Sequence, residues 1–281
     1  MVGTLDGKAA IVTGAGRGLG RVITLGLLAA GACVAGVELD EAALEETQQR
    51  AEDAGASERF LGIVADVTWN ESGPKIARAC AERFSRLDIL INNAGVSTGT
   101  LRGEGRPVGK LWETTPEEFR RVIEVNVIAP FLMARAALPT LIAQRWGRII
   151  NVTTSLDTMW RSFMQPYGGS KAANEAHLLA MAQELDGTGV TANVLVPGGA
   201  ADTRMVSPAS QPDRSKLISP DVMVAPLVWL CSDASDGVTG QRFIGTRWDE
   251  KLPPADAAKK AGTPAAWQQL GRQAVMPEGM R

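Results

Sequence analysis

Thr13-Gly14-Ala15-Gly16-Arg17-Gly18-Leu19-Gly20 joins an apolar run, Ala9–Thr13, to a stretch with helical apolar spacing, Leu19–Ala30. Glycine at every second position lets the chain turn tightly and bring its backbone close to a pyrophosphate at the following helix N-terminus. Glycine clusters also occur in ordinary turns. Three features of context point here to a dinucleotide site: the strand before, the helix after, and an acidic residue, Glu38, about 20 residues onward.

Outward from this turn, short β-branched runs alternate with longer helical patterns. Cys33–Glu38, Phe60–Ala65, Asp88–Asn92, Arg148–Thr153 and Thr191–Val196 read as strands. Glu41–Ala54, Pro116–Gln144 and Pro166–Leu185 read as helices. The alternation predicts a Rossmann-type α/β fold, a doubly wound parallel sheet with helices on both faces. The strands are near-continuous apolar runs, as a sheet buried on both faces requires. Val96–Thr115 breaks the rhythm and reads as a long loop or insertion. Pro197–Pro220 is rich in Gly, Pro, Ala, Ser and Asp and reads as a mobile segment. The tail from Thr246 runs through an Ala-rich stretch to Trp267–Leu270 and lacks sheet periodicity. We expect one catalytic domain over 1–245 and a C-terminal extension over 246–281.

Composition excludes several classes. The chain has 281 residues, 45% apolar and 21% charged, with a formal net charge of −2. Without a basic excess, nucleic acid is not an expected partner. No run of 18 apolar residues marks a membrane span, and Met1–Lys8 carries no secretory pattern, so a cytoplasmic protein is expected. Cys33, Cys80 and Cys231 are scattered, and His177 is the only histidine. No metal site is expected from such a set.

The spacing T-G-x-x-x-G-x-G resembles that of the short-chain dehydrogenase/reductase family, and the rest of the chain follows that family's order. Asp66-Val67 follows the third strand, Asn92-Asn93-Ala94-Gly95 the fourth, and Pro197-Gly198 the sixth. Asn126 lies in a helix, and Tyr167-Gly168-Gly169-Ser170-Lys171 matches Y-x-x-x-K. The match spans roughly Lys8–Gln241. It implies that Gly14, Arg17, Gly18, Leu19, Gly20, Glu38, Leu39, Asp66, Val67, Asn93, Ala94, Gly95, Pro197, Gly198 and Thr203 border a nicotinamide dinucleotide. It also implies that Tyr167 and Lys171 serve both cofactor and chemistry, with Asn126 holding a water on a proton path. The partner implied is a small alcohol or ketone, in a homodimer or homotetramer built on helices 116–144 and 166–185.

Residue chemistry bears on each role. Glu38 can accept hydrogen bonds from both ribose hydroxyls and would repel a 2′-phosphate. At about 4 Å and an effective dielectric near 20, each such charge pair costs roughly 4 kcal/mol before screening. Arg17 pulls the other way, since it can pair with that phosphate. NAD is therefore expected over NADP. Tyr167 and Lys171 are four residues apart and share a helix face. An ordinary tyrosine ionises near pH 10, so a base near pH 7 must be lowered by about three pH units, or roughly 4 kcal/mol. A neighbouring ammonium supplies part of this.

Departures from the family pattern fall at the hydroxyl and after the sixth strand. The run Asn151-Val152-Thr153-Thr154-Ser155 places the family's second serine at Thr154. Threonine keeps a hydroxyl that donates and accepts. That register favours Thr154; if the strand continues, alternation sends Ser155 to the opposite face, so the two are not interchangeable, and Ser155 stays open. The run Pro197–Thr203 is one residue longer than the family's P-G-x-x-x-T. Met159, Trp160, Phe163, Met164, Met205 and Val206 would suit an apolar or cyclic secondary alcohol, whereas Arg161 and Arg204 would suit a carboxylate. Two other readings remain: an NADP-linked 3-oxoacyl-type reductase, and a non-catalytic sensor of NAD(H) that binds a partner.

Overall fold

A computed structural model of the chain describes residues 4–103 and 109–268. The first half contains β1 (Ala9–Thr13), α1 (Gly18–Ala29), β2 (Cys33–Glu38), α2 (Glu41–Asp53), β3 (Phe60–Val64), α3 (Ser72–Phe84), β4 (Ile89–Asn92) and α4 (Thr98–Arg102). There follow α5 (Pro116–Ile123), a π-helical turn (Glu124–Ile128), α6 (Ala129–Gln144), β5 (Gly147–Val152), α7 (Leu156–Trp160), α8 (Tyr167–Glu184) and β6 (Val190–Val196). The chain then forms α9 (Val224–Leu230), β7 (Gln241–Ile244), α10 (Pro254–Ala261) and β8 (Gly262–Pro264).

The sheet order is β3-β2-β1-β4-β5-β6-β7-β8. Strands β1 to β7 pair in parallel, and β8 is antiparallel to β7. The order reverses between β1 and β4, so a crevice opens at their carboxyl ends, where such sheets bind ligands. Two apolar layers cover the sheet. Ile23, Leu27, Leu227 and Leu230 pack on one face; Ile76, Met133, Leu141 and Leu178 pack on the other. The 116–144 helix is apolar and long enough to cross a membrane by composition, yet 44% of its most apolar window is buried against the rest of the protein.

The predicted Rossmann-type sheet is present, with additions. Val96–Thr115 is not all loop: it holds α4, whose Ser97 cap accepts from Thr100 N at 3.2 Å. Residues 104–108 of that stretch lie outside the described ones. Pro197–Pro220, expected to be mobile, is tied down by Arg214, which donates to Asp202, to Val206 O and to Thr203 O at 3.0 Å. The tail, read as lacking strand character, contributes β8; three residues are too short to show alternation. Ala257 and Ala261 of α10 are buried, and Gln269 and Leu270 lie outside the described residues. Helix α3 and strand β7 were not anticipated; the polar Gln241-Arg242 pair disguises β7.

The glycine turn leaves no room for a side chain at Gly20. A Cβ there would sit 1.9 Å from Gly14 O and 2.5 Å from Asn93 Nδ2. Gly20→Ala should cost about 2 kcal/mol or more, lowering Tm by about 4 °C or more. Thermal unfolding followed by circular dichroism checks this, and an unchanged Tm would contradict it.

Candidate active site

The crevice is built on a polar clasp between β1 and β4. Thr13 Oγ1 accepts from Asn93 N at 3.0 Å and from Ala94 N at 3.1 Å, and donates to Ile91 O at 3.3 Å. Asn93 Nδ2 donates back to Thr13 O and Gly14 O at 3.0 and 3.2 Å. Gly14 has φ +67, and a Cβ there would lie 2.9 Å from Ala94 Cα. At Gly18, φ is +52 and Thr203 Cγ2 lies 3.1 Å from a would-be Cβ. Helix α1 begins there with Arg17 as its N-cap and no side-chain capping bond. No side chain caps the first-turn N–H groups, and groups so placed can receive an anionic ligand. Leu19 packs on the core behind them.

Beside this turn lies a cavity of about 520 Å³, lined among others by Arg17, Gly18, Asp40, Thr203 and Arg204. Glu38 reaches into the turn: its Oε2 accepts from Gly16 N at 3.1 Å and its Oε1 from Leu39 N at 2.8 Å. A Cβ on Gly16 would strike Glu38 Cγ at 2.6 Å. Leu39 is exposed. Arg17 is engaged in an ion pair with Asp40. The Ala43 N–H and the Arg17 guanidinium together hold the Asp40 carboxyl below its usual range. Asp66 lies at the end of β3. Burial pushes its pKa up, but Thr68 (N–H at 2.9 Å, hydroxyl at 2.6 Å) and Arg121 at 3.0 Å outweigh that and leave it lowered. Val67 is buried beneath it.

The candidate proton-transfer groups converge at the carboxyl end of β5. Tyr167 opens α8, and the Thr154 side chain lies near enough to its phenol to favour the ionised form. Ser155 points elsewhere: its Oγ lies 2.7 Å from Thr158 Oγ1, at the start of α7. The structure therefore brings Thr154, rather than Ser155, to Tyr167. Lys171 Nζ donates to Val152 O at 2.9 Å and lies 5.9 Å from the Tyr167 ring centroid. Gly95 passes directly above: a Cβ there would be 3.2 Å from Lys171 Nζ and 3.3 Å from Asn126 Oδ1. Burial pulls the Lys171 ammonium down to about 8 and pushes the Tyr167 phenol up to about 12, the latter partly offset by Thr154.

Asn126 sits in the π-helical turn, which shifts the hydrogen-bond ladder of helix 116–144. Its Oδ1 accepts from Val96 N at 2.9 Å, and its Nδ2 donates to Val96 O and Ser170 Oγ, each at 2.9 Å. Asn174 Nδ2 donates to the Asn126 carbonyl at 2.8 Å. Asn174 Oδ1 accepts from Asn151 Nδ2 at 2.5 Å, and Asn151 Oδ1 from Asn92 Nδ2 at 2.9 Å. Asn151 and Asn174 carry no sequence signal of this role beyond their polar type in buried elements.

On the open side, Gly198 has φ +104, and Thr246 N donates to Pro197 O at 3.0 Å. Met159 is buried, whereas Trp160 and Phe163 are 63% and 51% exposed. Arg161 and Arg204 are exposed. Glu175 and Arg242, unforeseen in the sequence, form a buried ion pair behind Thr154. The one local signal was Glu175's spacing, four residues after Lys171.

The clasp makes a direct prediction. Thr13→Val keeps shape but orphans the Asn93 and Ala94 N–H groups, at roughly 1–3 kcal/mol each. Urea unfolding should show at least about 2 kcal/mol lost; a loss within about 0.5 kcal/mol, as for a surface change, would contradict the clasp.

Comparison with known proteins agrees with this geometry. The family model for short chain dehydrogenases matches residues 8–214. A 3-oxoacyl-[acyl-carrier-protein] reductase from Vibrio cholerae is 29% identical over 84% of this chain and 95% of its own. A 2-dehydro-3-deoxy-D-gluconate 5-dehydrogenase from Pseudoalteromonas atlantica is 32% identical over 84% of this chain and 93% of its own. A solved short-chain type dehydrogenase/reductase from Mycobacterium marinum superposes with a TM-score of 0.75, at 28% identity over 85% of this chain and 94% of its own. The chain belongs to the short-chain dehydrogenase/reductase family of oxidoreductases.

Proposed function

We propose that this protein reversibly transfers a hydride between NAD(H) and a secondary alcohol or ketone. The observation that carries the proposal is the meeting of Thr154, Tyr167 and Lys171 beside the glycine turn. Bound nicotinamide would supply or accept the hydride. Thr154 would hold the substrate oxygen. Tyr167 would take the hydroxyl proton in oxidation and return it in reduction. Lys171, whose ammonium is destabilised by burial, would favour the tyrosinate and bind the nicotinamide ribose. Asn126 would hold a water on the proton path behind Lys171.

Two observations support NAD over NADP. Glu38 lies against Gly16, where a 2′-phosphate would meet a carboxylate. Arg17, the cation that would receive such a phosphate, is paired with Asp40. The Vibrio relative's activity keeps an NADP-linked 3-oxoacyl reductase as the second reading. Exposed Trp160 and Phe163, in the segment that follows the Thr154 strand end, favour an apolar or cyclic substrate. Ile128, Phe131 and Ile142 are exposed on helix 116–144, which supports a homodimer or homotetramer through that helix.

Tyr167→Phe should lower kcat at least about 100-fold while leaving NADH affinity largely intact; near-normal turnover in an NADH-absorbance assay would sink the assignment. Asp40→Ala should release Arg17 and tighten NADP binding about tenfold, the worth of one charge-assisted hydrogen bond. Calorimetric titration with NADP and NAD in parallel checks this, and an unchanged NADP affinity would contradict the Arg17 argument.

A further inference from the structure

Three successive residues at the end of β5 are gripped from outside the strand. Val152 O accepts from Lys171 Nζ at 2.9 Å. Thr153 Oγ1 donates to Glu175 Oε2 at 3.0 Å. Thr154 O accepts from Arg242 Nη2. Tyr167, Lys171 and Glu175 stand at four-residue steps on one face of α8, so a single helix face addresses the whole strand end.

Glu175 and Arg242 themselves form an ion pair, with side chains 0% and 4% exposed. Taking two charges out of water costs more than such a pair usually returns, and apolar residues of similar size would often stabilise the fold better. Such pairs can serve to fix geometry rather than to add stability. Each partner is also held by a further group: Arg242 Nη1 reaches Thr153 Oγ1 at 3.4 Å, and Glu175 Oε1 accepts from Ala266 N at 3.2 Å. That last bond comes from the chain just after β8, which lies opposite Arg242 in the sheet.

We propose that Glu175 and Arg242 are positioning residues for the Thr154 hydroxyl. The guanidinium fork holds the Thr154 carbonyl while the carboxylate holds both the fork and Thr153. The peptide carrying Thr154 is thereby fixed with its hydroxyl toward Tyr167, and the residues after β8 close the assembly from behind. The inference rests on the reading of Tyr167 as the proton-transfer group.

Tyr167 is the only tyrosine in the chain, so its ionisation can be followed by tyrosinate ultraviolet absorbance with saturating NAD and no substrate. The double variant Glu175→Leu/Arg242→Met removes both charges and strands neither. Arg242→Lys keeps the ion pair but loses the planar fork that reaches Thr154 O. Both should bind NADH as the parent does. In both, the ionised fraction of Tyr167 at a fixed pH below its midpoint should fall about tenfold, the worth of one hydrogen bond. A role confined to packing would lower Tm and leave that fraction unchanged, and such a result in a folded variant overturns the proposal. If the double variant does not fold, Arg242→Lys decides by the same criterion. Turnover retained by Tyr167→Phe would instead overturn the functional reading, leaving the titration to judge the positioning alone.

Discussion

A buried line of asparagine amides holds this molecule's working parts in register. It runs from Asn92 on β4 to Asn151 on β5 and Asn174 on α8, and ends on the Asn126 carbonyl in the π-helical turn. Four elements from both halves of the chain are fixed by it. Buried amides are costly unless paired, and paired in series they specify one arrangement. The turn that exposes the Asn126 carbonyl to Asn174 also directs its side chain to Val96 and Ser170. Gly95, Lys171 and Asn126 meet in consequence, between the nucleotide crevice and the candidate proton-transfer pair.

Burial alone works against the proposed chemistry. It pushes Tyr167 up and Lys171 down, so both groups favour their neutral forms. Two influences oppose it. The Thr154 side chain favours the ionised phenol. Oxidised nicotinamide, when bound, brings a positive charge that favours the tyrosinate. In the proposed chemistry, cofactor binding would therefore be what makes Tyr167 available as a base. The same economy of charge governs the other end of the crevice, where Asp40 occupies Arg17 and Glu38 occupies the Gly16 N–H.

Much of this was legible in the sequence, because much of it is local. The glycine turn demands glycines where Cβ atoms would collide with Gly14, Glu38 and Ala94. The four-residue step from Tyr167 to Lys171 is written into any helix. What escaped was non-local or short. Whether Thr154 or Ser155 meets Tyr167 depends on where β5 gives way to α7, within a residue or two. Glu175 and Arg242 are 67 positions apart, and an arginine inside a four-residue strand reads as a surface residue until its partner is known. Strand β8 is too short to carry a period, and the tail's role appears only once Ala266 meets Glu175.

In the proposed chemistry, bound NAD would convert a buried, protonated Tyr167 into a usable base. With one tyrosine in the chain, the direct measurement is its ultraviolet titration with and without saturating NAD. A midpoint above 10 is expected in the free protein, toward about 12, falling by about two pH units or more when NAD binds, within the range that a nearby opposite charge produces. A midpoint that NAD leaves in place would contradict it.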